Sequence, residues 1–104
     1  MWPPPNGPQQ EPWIGLAPMV RVNTPAFRIL ALRYGADCVY SEELIAKRLM
    51  FARRVENETL GTVDFVHKDG TITLRVANEE KDRLVVQIGC GDVESAAEAT
   101  RAVC

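Results

Sequence analysis

Leu16-Ala-Pro-Met-Val-Arg-Val-Asn-Thr-Pro-Ala-Phe-Arg28 and, a little further on, Arg33-Tyr-Gly-Ala-Asp-Cys-Val-Tyr-Ser-Glu-Glu43 decide how this chain is to be read. Ile14 to Ala17 has the composition of a short strand, and Pro18, which lacks an N–H, ends its pairing. Thr24 is suited to cap the free N–H groups of a helix. Pro25 fits the first turn, and Gly35 fits a left-handed stop. A helix from about Pro25 to Tyr34 follows. Phe27, Leu30, Ala31 and Tyr34 fall at i, i+3, i+4 and i+7, which predicts one buried stripe. A second strand, Asp37 to Tyr40, comes next. Ser41 then offers a cap, with Glu42 and Glu43 at the positive end of a second helix dipole. Strand, helix, strand in this order is a βα unit with parallel strands.

The pattern continues outward. The second helix is less regular and is expected to fray around Arg53-Arg54. A β-hairpin, Val63 to His67 and Thr71 to Val76, turns at Asp69-Gly70 and is expected to decorate the face of the fold. The third unit is a strand from Leu84 to Ile88, a Gly89-Cys90-Gly91 turn, and a helix from about Val93 capped by Asp92. Val93, Ala96, Ala97, Thr100 and Val103 predict its buried stripe. Three βα units amount to part of a (β/α)₈ barrel, which needs about 250 residues. The fold class expected is therefore α/β, the N-terminal portion of a TIM barrel over residues 13–104. A Pro-rich mobile arm is expected over residues 1–12. With open strand edges, such a piece is expected to be aggregation-prone or only partly folded.

The 104 residues suffice for one small domain. A net charge of -2 gives no global electrostatic match to nucleic acid. No apolar run reaches the ~18 residues of a membrane span. The N-terminal segment has neither the basic start nor the apolar core of a signal peptide, and it has no Arg or Lys before Arg21, against a transit peptide. Cys38, Cys90 and Cys104 lie far apart with no ligand spacing, so no zinc site is expected and reduced thiols are.

In a barrel, chemistry sits at the C-terminal ends of the strands. Pro18, Met19 and Val20 follow the first strand, leaving backbone groups free and a polarisable side chain at hand. From the residues alone, a plain strand-to-loop turn is the simpler account. Gln87 interrupts an apolar strand. Its amide can donate and accept toward a pyrimidine edge, or be satisfied by neighbouring backbone. Glu43 follows the second strand, where a solvated helix start is the simpler account. Gly89-x-Gly91 lacks the third glycine of a dinucleotide fingerprint and reads as a tight turn. His67 reads as a surface imidazole, and Lys47, Arg48, Arg53 and Arg54 as a solvated face.

The two opening blocks resemble those of the tRNA-dihydrouridine synthases, and in particular the eukaryotic cytosolic branch. The likeness extends through Arg53-Arg54-Val55, Thr62-Val63-Asp64-Phe65-Val66 and Val85-Val86-Gln87-Ile88-Gly89. The resemblance implies a cytoplasmic, FMN-dependent oxidoreductase that reduces uridine to 5,6-dihydrouridine in tRNA, with NADPH as reductant and no metal or membrane. It implies flavin contacts at Pro18, Met19, Val20, Glu43 and Gln87. The family's acid, a Cys in an Asn-x-Gly-Cys-Pro loop, has no match here, and neither do its later Lys, His and Gly-rich motifs. The chain is thus expected to be inactive alone, with a non-catalytic interaction module as the alternative.

Overall fold

The computed structural model describes residues 13–104; the expected arm over residues 1–12 lies outside them. In chain order the elements are β1 (Gly15–Leu16), α1 (Pro25–Arg33), β2 (Cys38–Tyr40), β3 (Leu44–Ile45), α2 (Ala46–Met50), β4 (Arg53–Asn57), β5 (Thr62–Val66), β6 (Ile72–Ala77), β7 (Leu84–Val85), β8 (Ile88–Gly89) and α3 (Val93–Val103). The strands group as β1-β2-β7, β3-β8 and β4-β5-β6.

The first two groups are parallel, as the βα pattern requires. Their register places Leu16 beside Val39 and Val39 beside Leu84, so β1, β2 and β7 end at one common edge. The chain enters this sheet through a reciprocal pair. Asp37 N donates to Ile14 O at 2.7 Å, and Ile14 N donates to the Asp37 carboxylate at 2.8 Å. Val39 is fully buried at the centre of the sheet.

The signals around α1 work as read. Thr24 Oγ1 accepts from Phe27 N at 3.3 Å, Pro25 stands in the first turn, and Gly35 takes φ 106 just past the end. The predicted apolar stripe does not face a core. Leu30 is 49 % and Tyr34 86 % exposed, and the residue α1 buries is Arg28. The guanidinium wins that face because a carboxylate meets it there. Arg28 Nε and Nη2 donate to the two Glu80 oxygens at 2.6 and 2.8 Å, and Nη1 and Nη2 donate to the carbonyls of Asn23 and Arg75 at 2.7 Å.

Three further expectations are corrected. Ser41 caps no helix: the chain pairs as β3 first, and α2 is a five-residue turn of helix over Ala46–Met50 that ends before Arg53. The third parallel strand is split, β7 pairing with β2 and β8 with β3, with Val86 and Gln87 between. The stripe on α3 is rotated. Asp92 caps it by accepting from Ser95 N at 2.7 Å, yet Ser95 and Ala99 are the buried positions while Val93 is exposed. A small-residue face lets α3 approach α2 closely, which an outward Val93 does not oppose.

The hairpin is also larger than the sequence suggests. Its strands and its turn at Asp69-Gly70 are present, Gly70 taking φ 89. Arg53–Asn57 adds a third antiparallel strand along the whole length of β5. This sheet is no decoration. Phe65 and Leu74 from it form the main core with Ala46, Leu49 and Ala99, flanked by Leu44, Val63, Val76, Val86, Ile88 and Val103. Leu49 and Ala99 are completely buried, so the core lies between the sheet and α2–α3.

Candidate functional site

Three loops meet where β1, β2 and β7 end, and hydrogen bonds rather than sheet ladder join them. After Pro18 the chain turns back on itself, Val22 N and Asn23 N both donating to Met19 O at 3.2 and 3.1 Å. Arg21 in this turn has φ 69, a left-handed conformation that costs a residue with a Cβ about 1 kcal/mol or more. Its N–H donates to the Glu42 carboxylate, which ties the first loop to the second. Asn23 makes the tie firmer. It is fully buried, and its Nδ2 donates to Ala17 O at 2.7 Å and to Tyr40 O at 2.8 Å.

Ser41 joins the second loop to the third. Its buried hydroxyl donates to Glu42 O at 2.7 Å and accepts from Gln87 N at 2.9 Å. Leu44 N donates to Gln87 O at 3.0 Å, so the Gln87 backbone is held on both sides. The Gln87 side chain is half-buried and has no hydrogen-bond partner among the described residues. Glu43 is exposed, and its carboxylate lies over the Cα of Gly89, where an added Cβ would come within 3.1 Å of it. Met19 and Val20 are exposed at the tip of the first loop and Pro18 is half-buried at its base. Pro18, Met19, Val20, Glu43 and Gln87 therefore all belong to the loops of this one edge.

Two recesses flank the Ser41–Glu43 segment. One, of about 410 Å³, lies between Thr24–Ala26, Ser41–Glu42 and Ile72–Arg75. The other, of about 470 Å³, opens between Glu43, Lys47, Gly89–Asp92 and Ser95, at the ends of β3 and β8. Asp92 on its wall is held below the usual carboxylate range, first by the Ser95 backbone N–H and hydroxyl, and also by the charge of Lys47. Cys38 is pushed up by burial and then by Asp37, so its thiol keeps its proton and supplies no thiolate.

The residues singled out and set aside by sequence fare variously. His67 is largely covered, and its Nδ1 lies 3.2 Å from Asp69. Arg48 reaches Thr71 Oγ1 at 2.6 Å and Arg54 pairs with Glu56, so part of the basic stretch serves the inserted sheet. Sequence reasoning passed over Asn23 and the Arg28–Glu80 pair, and read Glu42 only as part of a helix start. The available signal for Asn23 was its type alone, a primary amide with two donors between the Ala-Pro-Met turn and the helix cap. Among the described residues no group of three or more His, Cys, Asp or Glu side chains is placed to hold a metal. No described helix is long and apolar enough to cross a membrane.

Parallel strands, helices between them and a polar loop edge at the strand C-termini define a protein of repeated βα units. A sequence model of the dihydrouridine synthase family (Dus) matches residues 15–104. The chain belongs to that family. It is 39 % identical over 92 residues to the tRNA-dihydrouridine(20) synthase [NAD(P)+] of Schizosaccharomyces pombe (strain 972 / ATCC 24843), covering 85 % of this chain and 19 % of the relative. It is 38 % identical over 91 residues to the tRNA-dihydrouridine(20) synthase [NAD(P)+] of Saccharomyces cerevisiae (strain ATCC 204508 / S288c), covering 81 % of this chain and 24 % of the relative. The chain thus corresponds to about a fifth to a quarter of the length of these relatives.

Proposed function

We propose that this chain is the flavin-contacting opening part of an FMN-dependent tRNA-dihydrouridine synthase, its βα units forming the N-terminal portion of a (β/α)₈ barrel. The observation that carries the reading is the hydrogen-bonded edge where the loops after β1, β2 and β7 meet. In this reading Pro18, Met19, Val20, Glu43 and Gln87 hold FMN. The residues present fit such a group. Gln87 offers a half-buried amide with donor and acceptor capacity unspent, and Met19 offers a polarisable side chain at the loop tip. Glu43 lays its carboxylate over Gly89, where a Cβ would crowd it.

Bound FMN supplies hydride chemistry, with NADPH as its reductant and a uridine of tRNA as the substrate. The residues of this chain bind and orient. None of them delivers the proton the uracil ring also needs. Cys38 lies within a strand, buried and protonated, and neither Cys90 nor Cys104 stands in an Asn-x-Gly-Cys-Pro loop. The 104-residue chain is accordingly inactive alone, and the whole enzyme works in the cytoplasm. The uncovered stripe of Phe27, Leu30 and Tyr34 on α1 favours one second reading, a non-catalytic derivative that uses this surface to bind a partner.

The test is Gln87→Ala in the full-length protein that carries this segment. Flavin should be held more loosely by about 1–3 kcal/mol, the cost of losing buried hydrogen bonds. Unchanged flavin occupancy counts against the site. Dihydrouridine formed in unmodified tRNA by the purified 104-residue chain, with FMN and NADPH supplied, overturns the division of labour.

A further inference from the structure

We propose that Asn23 is a positioning residue for the cofactor edge, a role that rests on the flavin reading above. Pro18 has no N–H with which to extend the ladder between β1 and β2. At that level the two strands present the carbonyls of Ala17 and Tyr40. A primary amide nitrogen carries two hydrogens about 120° apart, enough to serve both oxygens at once. Asn23 Nδ2 does so at 2.7 and 2.8 Å, from a side chain with no solvent exposure.

The residue is itself fixed from both sides. Its N–H donates to Met19 O at 3.1 Å, so any shift of Asn23 moves the Met19 turn. Its carbonyl accepts from Arg28 Nη1 at 2.7 Å, and Arg28 is locked by Glu80. Asn23 thus connects the inserted segment before β7, through Arg28, to the loop that carries Pro18, Met19 and Val20. It also sets the spacing of that loop from Ser41–Glu43, the segment that follows β2. Its Oδ1 is buried with no hydrogen-bond partner among the described residues, so the acceptor end contributes no tie there and the amide donors carry the role. A hydroxyl or a small apolar side chain cannot bridge two carbonyls.

The experiment compares Asn23→Ala and Asn23→Asp with the wild type in the full-length protein. It measures the FMN dissociation constant by flavin fluorescence, the visible spectrum of bound FMN at saturation, and the thermal midpoint of the apo form. Asn23→Ala is expected to weaken FMN about tenfold, as loss of two buried hydrogen bonds implies, and to shift the bound spectrum at saturation. Asn23→Asp keeps the shape and, when protonated, one donor. Its affinity relative to wild type should therefore fall as pH rises, because a carboxylate repels both carbonyls. Wild-type FMN affinity and spectrum in both variants, with only the thermal midpoint lowered, would overturn the proposal and leave Asn23 a structural residue. Failure of the wild type itself to bind FMN would overturn the flavin reading, and this inference with it, and is told apart by that control.

Discussion

The antiparallel sheet β4-β5-β6 and the parallel set β1-β2-β7 solve the same problem in opposite ways. In the first, β4 and β5 pair along their full length, from Arg53 opposite Val66 to Asn57 opposite Thr62, and β6 pairs with β5 across one irregularity in register at Thr73. The backbone ladder does most of the joining, with Asp64 clasped by Arg75 and Asn57 across the strands, and Phe65 and Leu74 are free to fill the core. In the second, strands of two and three residues have too little ladder to hold themselves. Side chains finish the work: Asn23 across β1 and β2, Ser41 between β2 and Gln87, Glu42 onto Arg21. The difference shows where a fold can place function. A long ladder leaves few backbone groups unspent, whereas a short one pinned by side chains leaves loops whose shape is specified and whose outer groups stay available.

The pair that joins the two regions should give the largest effect. Glu80 and Arg28 are buried, at 0 % and 2 % exposure. Glu80→Ala leaves a guanidinium stranded without its carboxylate and frees the Ala77 N–H that Glu80 accepts from at 3.1 Å. Breaking such a pair costs about 3–5 kcal/mol. Urea denaturation should show that loss, and hydrogen exchange should show protection falling first in β1 and β2 while β5 keeps its own. The apolar double variant Arg28→Met, Glu80→Leu should recover much of the stability, since the desolvation cost goes with both charges. A loss below about 1 kcal/mol for Glu80→Ala would mean the two regions are not coupled there.

A smaller effect separates the regions by pH. Asp64, inside the antiparallel sheet, accepts from Arg75 Nε and Nη2 at 2.8 Å and from Thr62 Oγ1 at 2.8 Å. The Arg75 guanidinium is the first cause that lowers its pKa, to about 2. The folded value lies below the unfolded one, so the stabilisation is fully present above about pH 4. It is lost as pH falls from about 4 through about 2, and it amounts to roughly 2 kcal/mol. Asp64→Asn should flatten the stability profile over that window and lower stability by a constant amount, roughly 2 kcal/mol, at higher pH. An acid limb as steep as wild type in Asp64→Asn would place the acid sensitivity elsewhere.

How far these features were legible in the sequence follows from the same contrast. Local signals carried well: Thr24, Pro25 and Gly35 bound α1, Asp92 caps α3, and Asp69-Gly70 turns the hairpin. The parallel sense of the βα strands followed from element order. Periodicity failed on α1, because it counts apolar residues and cannot foresee a charged partner, and was only partly right on α3, where Val103 packs on the core but Val93 is exposed. Arg28 displaced the Phe27–Tyr34 stripe only because Glu80, 52 positions away, reaches it. β4 was missed because Arg53-Arg54-Val55-Glu56-Asn57 has polar residues at most positions, and its pairing with β5 is a long-range fact. At the edge, Pro18, Met19 and Gln87 stood out by type, whereas Asn23 passed for ordinary loop. An amide that bridges two carbonyls leaves no trace in spacing.

The smallest expected effect tests whether α1, at the seam of the two regions, leans on its cap or on its clasp. Thr24 Oγ1 accepts from Phe27 N at a long 3.3 Å, and no acidic residue stands in the first turn. Thr24→Ala removes one weak cap bond and should cost about 0.5–1 kcal/mol, the low end for such positions. Thr24→Asp keeps an acceptor and adds negative charge where the helix dipole is positive, so it should be neutral or stabilise by about 0.3–1 kcal/mol at low salt. Neither change touches the Arg28–Glu80 pair, so in urea both should shift the midpoint without altering the slope. A Thr24→Ala loss as large as that of Glu80→Ala would reverse the ranking, making the helix start, rather than the buried clasp, the element that holds the parallel strands against the inserted sheet.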